Sequence, residues 1–223
     1  MLEKEGKEFF ATGVSIVLHP CNPHMPIIHM NVRYFEMGTS WWFGGGIDLT
    51  PHYVVPSEAK FFHRKLKEVC DASDPSYYPK FKDWADDYFF IRHRMETRGV
   101  GGIFFDRLTA DLDKSQNQIF DFVLNVGNAF IPIYKHLFLE NSDSPYTQKE
   151  KQWQLVRRGR YTEFNLVWDR GTKFGLETGG RTESILMSLP PLAKWVYAEE
   201  PEEGTPELAT LSYLKKGVDW VNI

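Results

Sequence analysis

The 223-residue sequence predicts an α+β domain built on a mainly antiparallel sheet. Two observations carry that prediction. Strand-like segments come in neighbouring groups separated by helical blocks, not in strict βαβ alternation. Short turns rich in proline, glycine and asparagine join the first strands, a linkage that suits antiparallel neighbours.

Residues 12–19, TGVSIVLH, read as a strand, and PCNPHMP as the turn after it. A second strand runs from Ile27 to Phe35. SWWFGGGIDLTPHY continues as an aromatic strand through three glycines to Asp48, ended by Thr50-Pro51. SEAKFFHRKLKEVCDA predicts a helix capped by Ser57, with Phe62, Leu66, Val69 and Cys70 as its apolar stripe. A second helix is expected over 80–96, with Phe81, Trp84, Tyr88, Ile91 and Met95 on one face. GVGGIFFDRL returns to a strand, and 114–139 predicts a long helix bent near Pro132. After the loop ENSDSPYTQ, a helix through Trp153 leads into YTEFNLVW, which alternates as a strand. GTPELATLSYLKK closes the chain as a surface helix.

Length suits one large domain, or at most two, with a substantial core, and there is no internal repeat or low-complexity linker. Aromatic residues at 15% suit a thick core or a pocket for a large planar ligand. A net charge of −4 gives no support for general nucleic-acid binding. Cys21 and Cys70 form no C-x-x-C pair, which argues against a disulfide framework or structural zinc and for a reducing compartment. No uninterrupted apolar run approaches the ~18 residues of a membrane span. The start, MLEKEGKEFF, is unlike a signal or transit peptide, so the expected location is cytoplasmic.

The sharpest local signal is HMNVRYFE, residues 29–36. Strand side chains alternate, so His29, Asn31 and Arg33 share one face while Met30, Val32 and Tyr34 share the other. A solvent-facing edge strand would show the same pattern. Ser15 and His19 on the preceding strand shift the balance, because polar groups clustered on an aromatic sheet need partners, and a polar ligand supplies them. GGGID can present Asp48 at a pocket rim, or form a bend between strands; it lacks the Lys-Ser/Thr ending of a phosphate loop. RGVGG at 98–102 precedes a strand, which rules out a dinucleotide loop. Arg33, Arg98 and Arg181 offer guanidiniums to an acidic substrate, whereas Arg157, Arg158 and Arg160 read first as a helix end or subunit contact. His63 and His93, beside helix stripes, read as structural by default.

WWFGGGIDLTP, HMNVRYF, RGRYTEFNLVWDRGTKFGL and GGRTESILMSLPP together resemble the oxygen-dependent coproporphyrinogen III oxidases, from about residue 10 to the C-terminus. The resemblance implies a large, flat antiparallel sheet sandwiched between helices, assembled as a homodimer. It implies conversion of coproporphyrinogen III to protoporphyrinogen IX, two propionates becoming vinyls with loss of carbon dioxide and reduction of oxygen to hydrogen peroxide. No organic cofactor is implied; oxygen is the co-substrate. His29 matches the family's general acid/base, and Asp48 and Arg98 match positions implicated in activity. Ser15, Asn31, Val32, Arg33, Gly179, Gly180 and Arg181 match substrate contacts. The resemblance also offers His19, His29, His63 and His93 as a candidate divalent-metal set, although other members work without metal. Asp48 is expected to grip pyrrole N–H groups, and Arg33, Arg98 and Arg181 to hold propionates.

Residues 1–223 are thus expected to form a single domain of this family, lacking the segment of some tens of residues that precedes this point in other members. EMGTS is shorter than in animal members and predicts a tighter hairpin. The alternative is a porphyrin- or haem-binding protein without turnover, disfavoured by His29, Asp48 and Arg98 occurring together; a metal-dependent hydrolase is more distant.

Overall fold

The computed structural model describes residues 8–110 and 114–223. Strands β1 (Phe9–Leu18), β2 (Ile27–Met37), β3 (Ser40–Thr50) and β6 (Gly101–Leu108) form an antiparallel sheet in the order β1-β2-β3-β6. β4 (Phe90–Ile91) and β5 (Glu96–Thr97) form a separate short ribbon. The helices are α1 (Pro56–Asp71), α2 (Tyr77–Tyr88), α3 (Gln116–Asn141), α4 (Gln148–Val167), α5 (Arg170–Glu177), α6 (Thr182–Leu186) and α7 (Pro206–Tyr213). The α+β architecture expected from the sequence is therefore present.

Alternation sorts the sheet into two unlike faces. Ile28, Met30, Ile47, Leu49, Ile103 and Phe105 point one way and are buried under Phe62 and Leu66 of α1 and Phe122, Val126 and Ile133 of α3. Each fully buried side chain of this kind contributes about 1.5–3 kcal/mol relative to exposure. Helix α2 lies along the β6 edge: Phe81 meets Phe105 at 5.2 Å on the core face, and Tyr88 stacks on Phe104 at 4.1 Å on the other. Helix α4 covers one end of that second face, and the rest stays open. β1 is an exposed edge.

The β2–β3 hairpin closes in two residues, Gly38-Thr39. Met37 pairs with Ser40, and Gly38 takes the positive φ of 61° that a tight hairpin needs at its first position. The three glycines that follow are buried strand residues and not a bend.

Helix α3 carries Pro132 in its interior and starts at a capping box between Ser115 and Gln118. By length and composition it meets the requirements of a membrane span, but its Ile119, Phe122, Val126 and Ile133 pack into the core.

Three expected elements differ. Helix α1 is not capped by Ser57: Val55 is its N-cap and Pro56 supplies a first turn that needs no N–H. The helix expected over 80–96 stops at Tyr88; the chain turns into the β4–β5 ribbon, and Met95, expected on a buried stripe, is exposed with φ 56°. YTEFNLVW is the last two turns of α4 with its C-cap Trp168, and not a strand. Its local alternation is outweighed by a helical stripe through Trp153, Val156, Tyr161 and Phe164, started by a capping box between Thr147 and Glu150.

Two histidines are built into this core. Burial pushes His63 down to about 3, and burial together with the charge of Arg158 does the same to His52. From pH 6.5 down to about 3 the unfolded chain binds two protons that the native state refuses. Stability therefore falls with falling pH, by about 1.4 kcal/mol per pH unit for each imidazole. Urea denaturation across this range should show that slope begin near neutrality; a stability flat to pH 5 would contradict it.

Candidate active site on the open face of the sheet

The face opposite the core carries Ser15 on β1, His29, Asn31 and Arg33 on β2, Gly44, Gly46 and Asp48 on β3, and Phe104 on β6. His29 lies directly across from Asp48, Asn31 across from both Ser15 and Gly46, and Arg33 across from Gly44. The alternation read from HMNVRYFE thus describes a real polar surface. Phe9, Phe35 and Trp42 continue it as a ladder of rings, 5.9 Å and 5.2 Å apart and within 20° of parallel.

At the covered end stands a relay of three groups. Arg98 Nη2 donates to Asp48 Oδ2 at 2.6 Å, and His29 Nδ1–H donates to Asp48 Oδ1 at 2.9 Å. Asp48 and Arg98 are only 2% and 3% exposed, whereas the His29 side chain is 28% exposed. Because the carboxylate takes the Nδ1 proton, Nε2 of His29 is the nitrogen left to exchange protons with a ligand. Burial pushes the Asp48 carboxyl up, but the Arg98 charge and the His29 hydrogen bond outweigh it and hold the group below its ordinary value. The Arg98 guanidinium is enclosed by Phe89, Tyr161 and Phe164, whose ring centres lie 4.4, 4.6 and 4.7 Å from it. Helix α4 supplies two of these rings.

Arg98 is enclosed and paired, and its Nη2 bond fixes the position of Asp48. Each Asp48 oxygen already accepts one hydrogen bond, one from Arg98 and one from His29. The Val32 side chain points to the core face beneath α3.

Gly179, Gly180 and Arg181 lie at the α5–α6 junction. The Gly180 N–H bonds Gly175 O at 2.8 Å, Gly179 has φ 72°, and Arg181 is the exposed N-cap of α6. The atoms nearest the Gly180 Cβ position belong to Gly175 and Ile185.

The four histidines of the candidate metal set do not fit one ion. His63 has both nitrogens engaged, with Tyr78 Oη at 3.0 Å and Val100 O at 2.9 Å. His93 likewise binds Glu163 through Nε2 and accepts from Trp168 Nε1–H at Nδ1. His19 Nε2–H donates to Ser188 O, leaving only Nδ1 free. Among the described residues no group of three or more His, Cys, Asp or Glu side chains is arranged to hold a metal.

Residue pattern alone did not single out Asp106. Its Oδ1 accepts from Arg33 Nη2 at 2.9 Å on the open face. A carboxylate following FF in a strand carries no distinguishing signal.

The open sheet face thus places an accessible imidazole in front of a buried guanidinium–carboxylate pair. Comparison with known proteins shows the family. A family model described as coproporphyrinogen III oxidase matches residues 1–220. The oxygen-dependent coproporphyrinogen-III oxidase of Drosophila melanogaster is 54% identical over 227 residues, covering 98% of this chain and 57% of that protein. The enzyme of that name from Prochlorococcus marinus is 47% identical over 242 residues, covering 99% of this chain and 71% of its own length. The human protein, named as mitochondrial, is 54% identical over 226 residues, covering 98% of this chain and 49% of its own. The chain belongs to the coproporphyrinogen III oxidase family, and it spans between about half and seven tenths of these relatives.

Proposed function

We propose that the open sheet face carries the oxidative decarboxylation of coproporphyrinogen III to protoporphyrinogen IX in haem biosynthesis. Family membership supports the reaction, and the accessible Nε2 of His29 backed by Asp48 and Arg98 is the observation that carries it. For each propionate, the side chain loses a β-hydrogen and carbon dioxide, and the two electrons released pass to oxygen. With one proton taken up, the balance is a vinyl group, carbon dioxide and hydrogen peroxide.

In this reading His29 Nε2 exchanges the proton at the reacting pyrrole. Asp48 fixes the ring tautomer and stabilises the imidazolium when it forms. The macrocycle lies over the low floor of Gly13, Ser15 and Gly46. Asn31 and Arg33 meet a propionate about 7 and 14 Å along β2 from His29, at ~3.4 Å of rise per residue. Arg181, with Gly179 and Gly180, is assigned a further substrate contact on the family resemblance.

Residues 1–223 are read as one domain of this family, acting in the cytoplasm as a homodimer. The exposed Phe174, Met187, Trp195 and Tyr197 of the C-terminal segment support a subunit contact.

The test is to mix the protein with reduced coproporphyrinogen III in air, with and without a strong chelator, and resolve the porphyrins. Protoporphyrinogen IX with oxygen uptake is expected in both arms. Tight binding without product would favour the binding-protein reading, and loss of product with chelator would restore a metal to the reaction.

A further inference from the structure

Strand β6 breaks its register beside the open face. Phe105 pairs with Gly45 and Leu108 with Phe43, so Asp106 and Arg107 together stand opposite the single residue Gly44. This is a β-bulge, and Arg107 takes the left-handed φ of 50° that absorbs the extra residue. A non-glycine residue in that region carries strain, which persists where the surroundings enforce it. Here the strain accompanies one placement: Asp106 lies beside Gly44, facing Arg33.

The glycine is part of the same arrangement. A Cβ on Gly44 would fall 2.7 Å from Asp106 Oδ1 and 2.8 Å from Arg33 Nε, so the guanidinium lies flat across the bare backbone. Arg33 Nη1 donates to Asn31 Oδ1 at 2.8 Å and Nη2 to Asp106 Oδ1 at 2.9 Å. Trp42 flanks the group at 5.8 Å. Arg33 and Asp106 are each 32% exposed, so the pair is open to a ligand. A guanidinium has five N–H donors in a rigid fork, and these two bonds leave three for a carboxylate.

We propose that Asp106 is a positioning residue for ligand binding, holding Arg33 across Gly44 so that its remaining donors meet a substrate carboxylate. The proposal rests on the functional reading above. Asp106 does not touch the reacting atoms, so its removal should weaken binding and leave the proton exchange at His29 in place. Its charge also offsets that of Arg33, so the site selects a carboxylate by donor geometry more than by net positive charge.

Binding of coproporphyrin III and turnover of coproporphyrinogen III test this in the wild-type chain, Asp106→Ala, Asp106→Asn, Arg33→Gln and the Arg33→Gln/Asp106→Ala double variant. Loss of one charge-assisted bond predicts KM up about tenfold in Asp106→Ala, with the loss falling on KM and not on kcat. Asp106→Asn keeps the acceptor oxygen and should recover most of the affinity. The double variant should bind no more weakly than Arg33→Gln alone, because Asp106 acts through Arg33. Losses that multiply in the double variant, or that fall on kcat, would overturn the proposal while leaving the oxidase reading intact. Wild-type protein that binds no coproporphyrin III would overturn both. A thermal melt of each variant separates weakened binding from misfolding.

Discussion

Asp48→Asn is expected to lower turnover by about a thousandfold and stability by about 3 kcal/mol. The two losses share one cause. Asp48 is the common acceptor for Arg98 and His29, and an amide can neither neutralise the guanidinium nor fix the Nδ1–H tautomer. In a Ser-His-Asp triad, replacing the orienting aspartate by asparagine costs about 10⁴ in kcat through the wrong tautomer. Removing one partner of a buried ion pair costs about 3–5 kcal/mol, because the other charge is left uncompensated. Here the ring cage of Phe89, Tyr161 and Phe164 moderates that cost without removing it. Steady-state kinetics and urea denaturation read the two effects separately. Unchanged turnover would take Asp48 out of the mechanism. The same linkage sets a pH dependence. Since the folded pKa is depressed, the stabilisation by this carboxylate is present above its unfolded value and is lost as pH falls through the folded one.

Gly102→Ala should be the most damaging single methyl in the sheet. A Cβ there would lie 2.0 Å from Ile47 O and 3.0 Å from Asp48 Cα, and the backbone sits at φ 154°, outside what other residues adopt. Neither neighbour is a flexible side chain, so β6 would have to move off β3 and carry the Asp48 strand with it. A loss above about 4 kcal/mol is expected, in the range reserved for such mechanisms. Gly38→Ala is the contrast. That glycine also has a positive φ, 61°, but no atom lies within 4 Å of its Cβ position, so about 1 kcal/mol is expected. Denaturant midpoints for the pair measure the difference, and equal losses would contradict it.

Much of the open face was legible in the sequence because strand alternation is strict. Once Ile27–Phe35 is a strand, His29, Asn31 and Arg33 must share a side, and the short hairpin brings Asp48 opposite His29. The family motifs identified Arg98 as important, but fifty positions separate it from Asp48, and its role is set by how helix α4 closes over the sheet. That helix was the poorest reading. YTEFNLVW alternates over a few residues, and only the longer stripe from Trp153 to Phe164 shows the helical period. That local alternation masks the aromatic cage around Arg98. Asp106 was hidden for another reason. Its placement depends on a bulge, which adds one residue to a ladder and leaves no mark in composition or spacing. The histidines show the limit from the other side: His63 and His93, beside helix stripes, have both ring nitrogens occupied, which spacing alone does not display.

The most direct test of the site is ¹⁵N NMR of the His29 imidazole, assigned with His29→Gln, recorded with and without coproporphyrin III. The relay predicts the Nδ1–H form in the free protein, with Nε2 unprotonated and shifting on addition of the porphyrin. An Nε2–H tautomer, or an Nε2 signal that stays fixed while the porphyrin binds, would place the chemistry elsewhere.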